Sequence, residues 1–171
     1  SLGLKRLPLV DGFVLATQFT LRLALGVVAA QVPPSPWLFV FSMFLFTSLS
    51  LAKRYTELGR LSNVQGMRIA GRGYRAEDAP LVLAVGIAAG LGAVIIIILY
   101  IIEDAFRQSF YGSTLWLWGF PPLVFLVICR IWLVTARGEM DDDPVKFLLT
   151  DRVSQGLLAV LVTCFFFAWL V

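Results

Sequence analysis

Apolar residues dominate this chain in four long runs, each holding at most one ionisable residue, and the polar residues gather between and beside them. A helix rises about 1.5 Å per residue, so about 20 apolar residues cross a hydrocarbon layer about 30 Å thick. The pattern predicts a first span from about Leu9 to Val32, stopped by Pro33-Pro34-Ser35-Pro36, through which no helix runs easily. A second span covers about Trp37 to Ala52, and its helical spacing continues into water to about Leu61. A third covers Ala79 to Ile102 and holds the unbroken apolar run Val94 to Leu99. A fourth covers Leu115 to Thr135, and a fifth Val153 to Val171. Trp116, Trp118, Trp132 and Trp169 stand near span ends, where the amphipathic indole sits best. The reading is all-α: a polytopic transmembrane helical bundle of about five spans, one domain over residues 1–171.

Charge then supplies an expected orientation. Eleven basic residues fall in the N-terminal segment, the second loop and the fourth loop, and only Arg107 falls in the loops of the other side. That asymmetry predicts a cytoplasmic N-terminus and an external C-terminus in a bacterial plasma membrane, hence an odd number of spans. Overall composition agrees: 15% of residues are charged, against about 25% in soluble domains. There is no histidine, so the commonest general base and zinc ligand are missing. Cys129 and Cys164 lie inside apolar runs and read as small packing residues, not a disulfide or zinc pair. The chain opens Ser-Leu-Gly on a basic pair without a signal-peptide pattern, which suggests a chain lacking an N-terminal part.

Two arginines stand within spans. Arg130 is near the basic end and can snorkel to it. Arg22 is deeper, and Asp11, Gln18 and Arg22 are spaced close to whole helical turns, on one face. They form either a polar seam between helices or the lining of a cavity. Gly86-x-x-x-Gly90, with Gly92, marks a place for close approach in the third span.

The candidate chemistry lies at the basic end. Lys53, Glu57 and Arg60 share a helical face, with Arg54 and Tyr55 between the first two. They are either a solvated helix end with an ion pair or a group that holds a phosphate or its magnesium. The next segment contributes Arg68, Arg72, Tyr74 and Arg75 among glycines, a set suited to diphosphate or to lipid headgroups. Asp141-Asp142-Asp143-Pro144 is either an oxygen site for Mg²⁺ or a helix cap.

The segments Leu4-Lys5-Arg6, Lys53-Arg54-Tyr55-Thr56-Glu57-Leu58, Gly71-Arg72-Gly73-Tyr74-Arg75 and Arg137-Gly138-Glu139-Met140 with Asp141-Asp142-Asp143-Pro144, in this order, resemble the UbiA superfamily of membrane prenyltransferases. Within it they are nearest the decaprenyl-phosphate phosphoribosyltransferase-like branch. The resemblance implies the last five helices of a nine-helix bundle, with the first four, and the first aspartate-rich Mg²⁺ motif, absent. It implies that Lys5, Arg6, Arg54, Arg60, Arg68, Arg72, Tyr74 and Arg75 contact diphosphate. It puts Lys53 and Glu57 where the family carries D-x-x-x-D, with lysine in place of the first carboxylate. Glu57 and Asp141 are the implied Mg²⁺ ligands. The implied activity is transfer of a prenyl group from a polyprenyl diphosphate to an acceptor, or of phosphoribosyl from phosphoribosyl diphosphate to a polyprenyl phosphate. The 171 residues alone are expected to be inactive. Expected partners are the polyprenyl lipid, the membrane and the missing helices, and not nucleic acid. A helical scaffold or transporter component is the non-catalytic alternative.

Overall fold

A computed structural model describes residues 7–31, 33–61, 73–105, 113–140 and 143–170. Among the described residues the fold is all-α, with five helices long and apolar enough to cross a membrane. In chain order the helices are α1 (Val10–Ala29), α2 (Pro36–Leu61), α3 (Ala79–Glu103), α4 (Phe120–Ala136), α5 (Pro144–Thr150) and α6 (Arg152–Leu170). Short 3-10 turns, Ala76–Asp78 and Thr114–Gly119, lead into α3 and α4.

The boundaries follow local chemistry. α1 stops at Ala29, and Gln31 takes a left-handed backbone (φ 55°) ahead of the proline cluster. α2 begins at Pro36, whose missing N–H costs nothing in a first turn, and runs without a break through the charged segment to Leu61. α4 starts five residues later than its apolar pattern, because Pro121 and Pro122 fit the first turn of a helix but not its interior. Asp143 caps α5 by accepting a hydrogen bond from the Val145 N–H at 2.9 Å. Of the two readings of the aspartate run, capping therefore describes Asp143.

Helix α2 is the centre of the bundle and packs on α1, α3, α4 and α5. α6 packs on α4, on α5 and on the turn before α4. The core runs between α2, α3 and α4 through Leu51, Val82, Ile128, Ile131 and Trp132. Gly86 and Gly90 permit this contact: a Cβ on Gly86 would fall 2.2 Å from the Trp132 ring, and one on Gly90 2.6 Å from Ile128. Side chains rather than another backbone occupy the expected groove of the third span: Trp132 and Ile128 of α4 at Gly86 and Gly90, and Phe44 of α2 at Gly92. Ser48 ties the three helices together, donating to the Gly86 carbonyl at 2.8 Å and accepting from the Trp132 indole N–H at 3.0 Å.

Candidate functional site

At the end of the bundle that carries the basic loops, three segments converge on one buried carboxylate. Asp11 opens α1, Arg54 lies on α2 two turns before its end, and Tyr74 lies on the segment leading into α3. The Tyr74 hydroxyl donates to Asp11 Oδ1 at 2.5 Å and accepts from the Leu9 N–H at 2.7 Å. Asp11 Oδ1 also accepts from the Gly12 N–H at 2.8 Å. Arg54 Nε stands 3.2 Å from Asp11 Oδ2, a charge contact whose N–H is not aimed at the oxygen. The Arg54 guanidinium also binds Glu57, three residues on. Arg54 is 2% exposed, Tyr74 0% and Asp11 6%. Burial, reinforced by the bond to Asp11, pushes the Tyr74 hydroxyl well above the usual tyrosine range, so it stays protonated.

Tyr74 and Arg54, expected to touch diphosphate, are turned inward against Asp11. Glu57 pairs with Arg54, and Lys53 is half-exposed. Arg60 and Arg75 are exposed. A cleft of about 410 Å³ lies between the end of α2, the start of α3 and the end of α4, with Tyr55, Arg60 and Arg137 on its walls. Lys5, Arg6, Arg68, Arg72 and Asp141 lie outside the described residues.

Asp11, Gln18 and Arg22 do share a face of α1, but the environment divides them. Tyr74 and Arg54 cover Asp11, whereas Gln18 and Arg22 are exposed on α1. Helical spacing sets which way a residue points, and not what covers it.

The implied Mg²⁺ can be tested against the donor set. Among the described residues no three acidic or thiol side chains converge. Glu57, the one described candidate ligand, already accepts from a guanidinium. Magnesium takes several oxygen ligands. The described residues do not by themselves fit a Mg²⁺ site.

A second feature adjoins this site. An apolar groove of about 660 Å³ runs between α1, α2 and α3, lined by Phe13, Phe39, Met43, Phe44, Thr47 and Ala89 among others. Thr47 is seven residues before Arg54 on α2, so the groove ends about 10 Å from the buried arginine. The Thr47 hydroxyl is buried there without a hydrogen-bond partner among the described residues.

Comparison with known proteins places the chain beside two rhizobial sequences. It is 38% identical over 168 residues to the "Uncharacterized protein y4nM" of Sinorhizobium fredii, a match covering 98% of this chain and 33% of that protein. It is 28% identical over 155 residues to the "Nodulation protein NoeC" of Azorhizobium caulinodans, covering 85% of this chain and 47% of that protein. The chain thus spans about a third and about half of the curated relatives it matches. No family model matches the chain, and no solved structure matches it.

One ion pair was not foreseen from the sequence. Arg130 does not merely reach for water: its Nε and Nη2 donate to the two oxygens of Asp151 at 3.3 and 3.1 Å. Asp151 also accepts from the Ser154 N–H and hydroxyl, at 2.9 and 2.8 Å, at the start of α6. These bonds, Arg130 first, hold the Asp151 carboxyl down at about 2. The signal was present as an Asp-x-x-Ser pattern opening an apolar run, a common helix start.

Proposed function

We propose that the protein containing this chain is a membrane-embedded transferase that acts on a polyprenyl substrate, moving a prenyl group from a polyprenyl diphosphate to an acceptor. The observation that carries the reading is the adjacency on one rigid helix of an apolar groove and a polar end. Phe39, Met43 and Thr47 line the groove; Lys53, Arg54, Glu57 and Arg60 follow on the same helix. A long apolar tail suits the groove, which is open along its flank. A phosphate or diphosphate head suits the basic end, where Lys53, half-exposed, and Arg60 and Arg75, exposed, supply cations.

In prenyl transfer, the bond between the prenyl C1 and its diphosphate oxygen breaks. The diphosphate leaves with the electron pair, and the acceptor forms the new bond at C1 and releases a proton. Positive side chains would favour the charge that gathers on the departing diphosphate. A second reading is phosphoribosyl transfer, in which an oxygen of polyprenyl phosphate attacks the anomeric carbon of phosphoribosyl diphosphate and expels diphosphate. Two points favour it: the resemblance puts Lys53 where the family carries a carboxylate, and Glu57 is bonded to Arg54. This end of the bundle is therefore equipped more for anion contact than for a carboxylate metal clamp.

The deciding test is a radiolabel transfer assay on membranes containing the complete polypeptide. Polyprenyl phosphate with phosphoribosyl diphosphate is compared with polyprenyl diphosphate and a panel of acceptors. Lys53→Ala and Ala89→Trp, which fills the groove, should each lower turnover at least tenfold by removing one half of the site. Absence of product from both donor classes would refute a transferase and leave the scaffold reading.

A further inference from the structure

The outer face of α1 carries a polar stripe that nothing described covers. Gln18, Leu21, Arg22 and Leu25 recur at the spacing by which one helix packs along another. All four are exposed, Leu21 at 59% and Leu25 at 70%. The stripe lies on the side of α1 away from Gly12 and Ala16, which face the bundle.

Arg22 does not escape to the nearer helix end. Its guanidinium carbon sits 5.3 Å from the centroid of the Phe19 ring, one turn toward the helix start. Phe19 is nine residues from Val10 and ten from Ala29, about 14–15 Å from either end of the helix. The charge is therefore held near the middle of the span, where an uncompensated arginine is costly. Stacking on Phe19 relieves part of that cost. It supplies no hydrogen-bond acceptor, and a guanidinium has only donors.

Among the described residues, a second copy of this chain offers no carboxylate at that depth. Asp11 is about 12 Å nearer the basic end than Phe19 and is already bound by Tyr74 and Arg54. The other acidic residues of the described spans cluster at helix ends. The matched relatives, in contrast, extend well beyond the aligned segment, which covers 33% and 47% of their lengths.

We propose that the Gln18–Leu21–Arg22–Leu25 face of α1 receives another transmembrane helix of the same longer polypeptide, one that presents a carboxylate at mid-depth to Arg22. Leu21 and Leu25 form the apolar ground of that contact, and Arg22 sets its register.

Two measurements decide the matter. In the first, this chain is reconstituted in phosphatidylcholine vesicles with a polyleucine transmembrane helix bearing a central Asp, or Leu as control, in both orientations. Energy transfer should report about tenfold stronger association with the Asp helix, the size of one good polar contact between membrane helices. Arg22→Leu should abolish the difference, and Arg22→Asp should transfer the preference to a helix with a central Lys. Equal association of the Asp and Leu helices overturns the proposal, as does Arg22-dependent self-association of the chain alone. In the second, benzoylphenylalanine replaces Leu21 in the complete polypeptide, and mass spectrometry identifies the cross-link. A cross-link to a helix outside these 171 residues supports the proposal. Cross-links only to lipid, or to residues of a second molecule, overturn it.

Discussion

Replacing Gly86 by alanine probes the contact on which the α2–α3–α4 core depends. The new methyl would sit 2.2 and 2.4 Å from Cζ2 and Cη2 of Trp132 and 3.2 Å from the Leu51 Cβ. Carbon atoms pack at about 3.5–4.0 Å, so the indole must retreat by more than about 1 Å. Trp132 is 4% exposed and packed into the core. Its N–H also holds Ser48, whose hydroxyl in turn holds the Gly86 carbonyl, so the retreat strains two hydrogen bonds at once. Overpacking of this kind costs about 1–3 kcal/mol and a strained buried hydrogen bond about 0.5–1.5 kcal/mol. Alanine recovers up to about 1 kcal/mol of helix propensity. Gly156→Ala provides the control, because a Cβ there meets nothing within 4 Å and gains the same propensity. The two variants should differ by about 2–6 kcal/mol in reversible unfolding by dodecyl sulfate in mixed micelles, followed by circular dichroism. Trp132→Phe in the Gly86→Ala background should recover part of the loss. Stabilities within about 0.5 kcal/mol of each other would refute the close-contact argument, because surface-like substitutions vary by that much.

Tyr74→Phe leaves Asp11 Oδ1 and the Leu9 N–H each short of one partner and should cost about 1–3 kcal/mol in the same unfolding assay. The Tyr74 hydroxyl is raised from an ordinary value of 10.0, so its contribution is complete below pH 10 and is lost as pH rises beyond it; phenolate absorbance at pH 11 should be equal in wild type and Tyr74→Phe. Asp151 behaves oppositely: its carboxyl is lowered from 3.8 to about 2, so its contribution is complete above pH 4 and disappears as pH falls through 2. Melting temperatures of wild type and Asp151→Asn should therefore differ at pH 6 and converge near pH 2, and parallel pH profiles would count against the Arg130 pair. Glu57→Gln should weaken the tie to Arg54 and lower transfer activity of the complete polypeptide while leaving its membrane insertion intact, as read by protease accessibility.

The elements were largely legible because each rests on local chemistry. Span lengths follow from hydrophobic runs, the stop after α1 from its prolines, the cap of α5 from Asp143, and the continuation of α2 from its helical spacing. Gly86 and Gly90 were readable as points of close approach, though not Trp132 and Ile128 as their occupants. The site was less legible because its contacts join residues far apart in sequence. Tyr74 lies 63 residues from Asp11, and a tyrosine among arginines and glycines reads as an exposed ligand contact until its burial is seen. Arg54 looks like one of several surface cations, and only its 2% exposure separates it from Lys53 and Arg60. Arg130 showed that it needed relief from hydrocarbon, but the depth of Asp151 depends on how α5 turns the chain into α6.

The 26 residues of α2 form a single rod about 39 Å long, some 9 Å more than the hydrocarbon layer. One consequence is mechanical. A bulky tail that wedges against Phe39 or Met43 cannot tilt that rod without swinging Lys53 and Arg60 at its other end. Occupancy deep in the bilayer would then be sensed at the water's edge as a change in the spacing of cations, with no hinge or loop needed to carry the message.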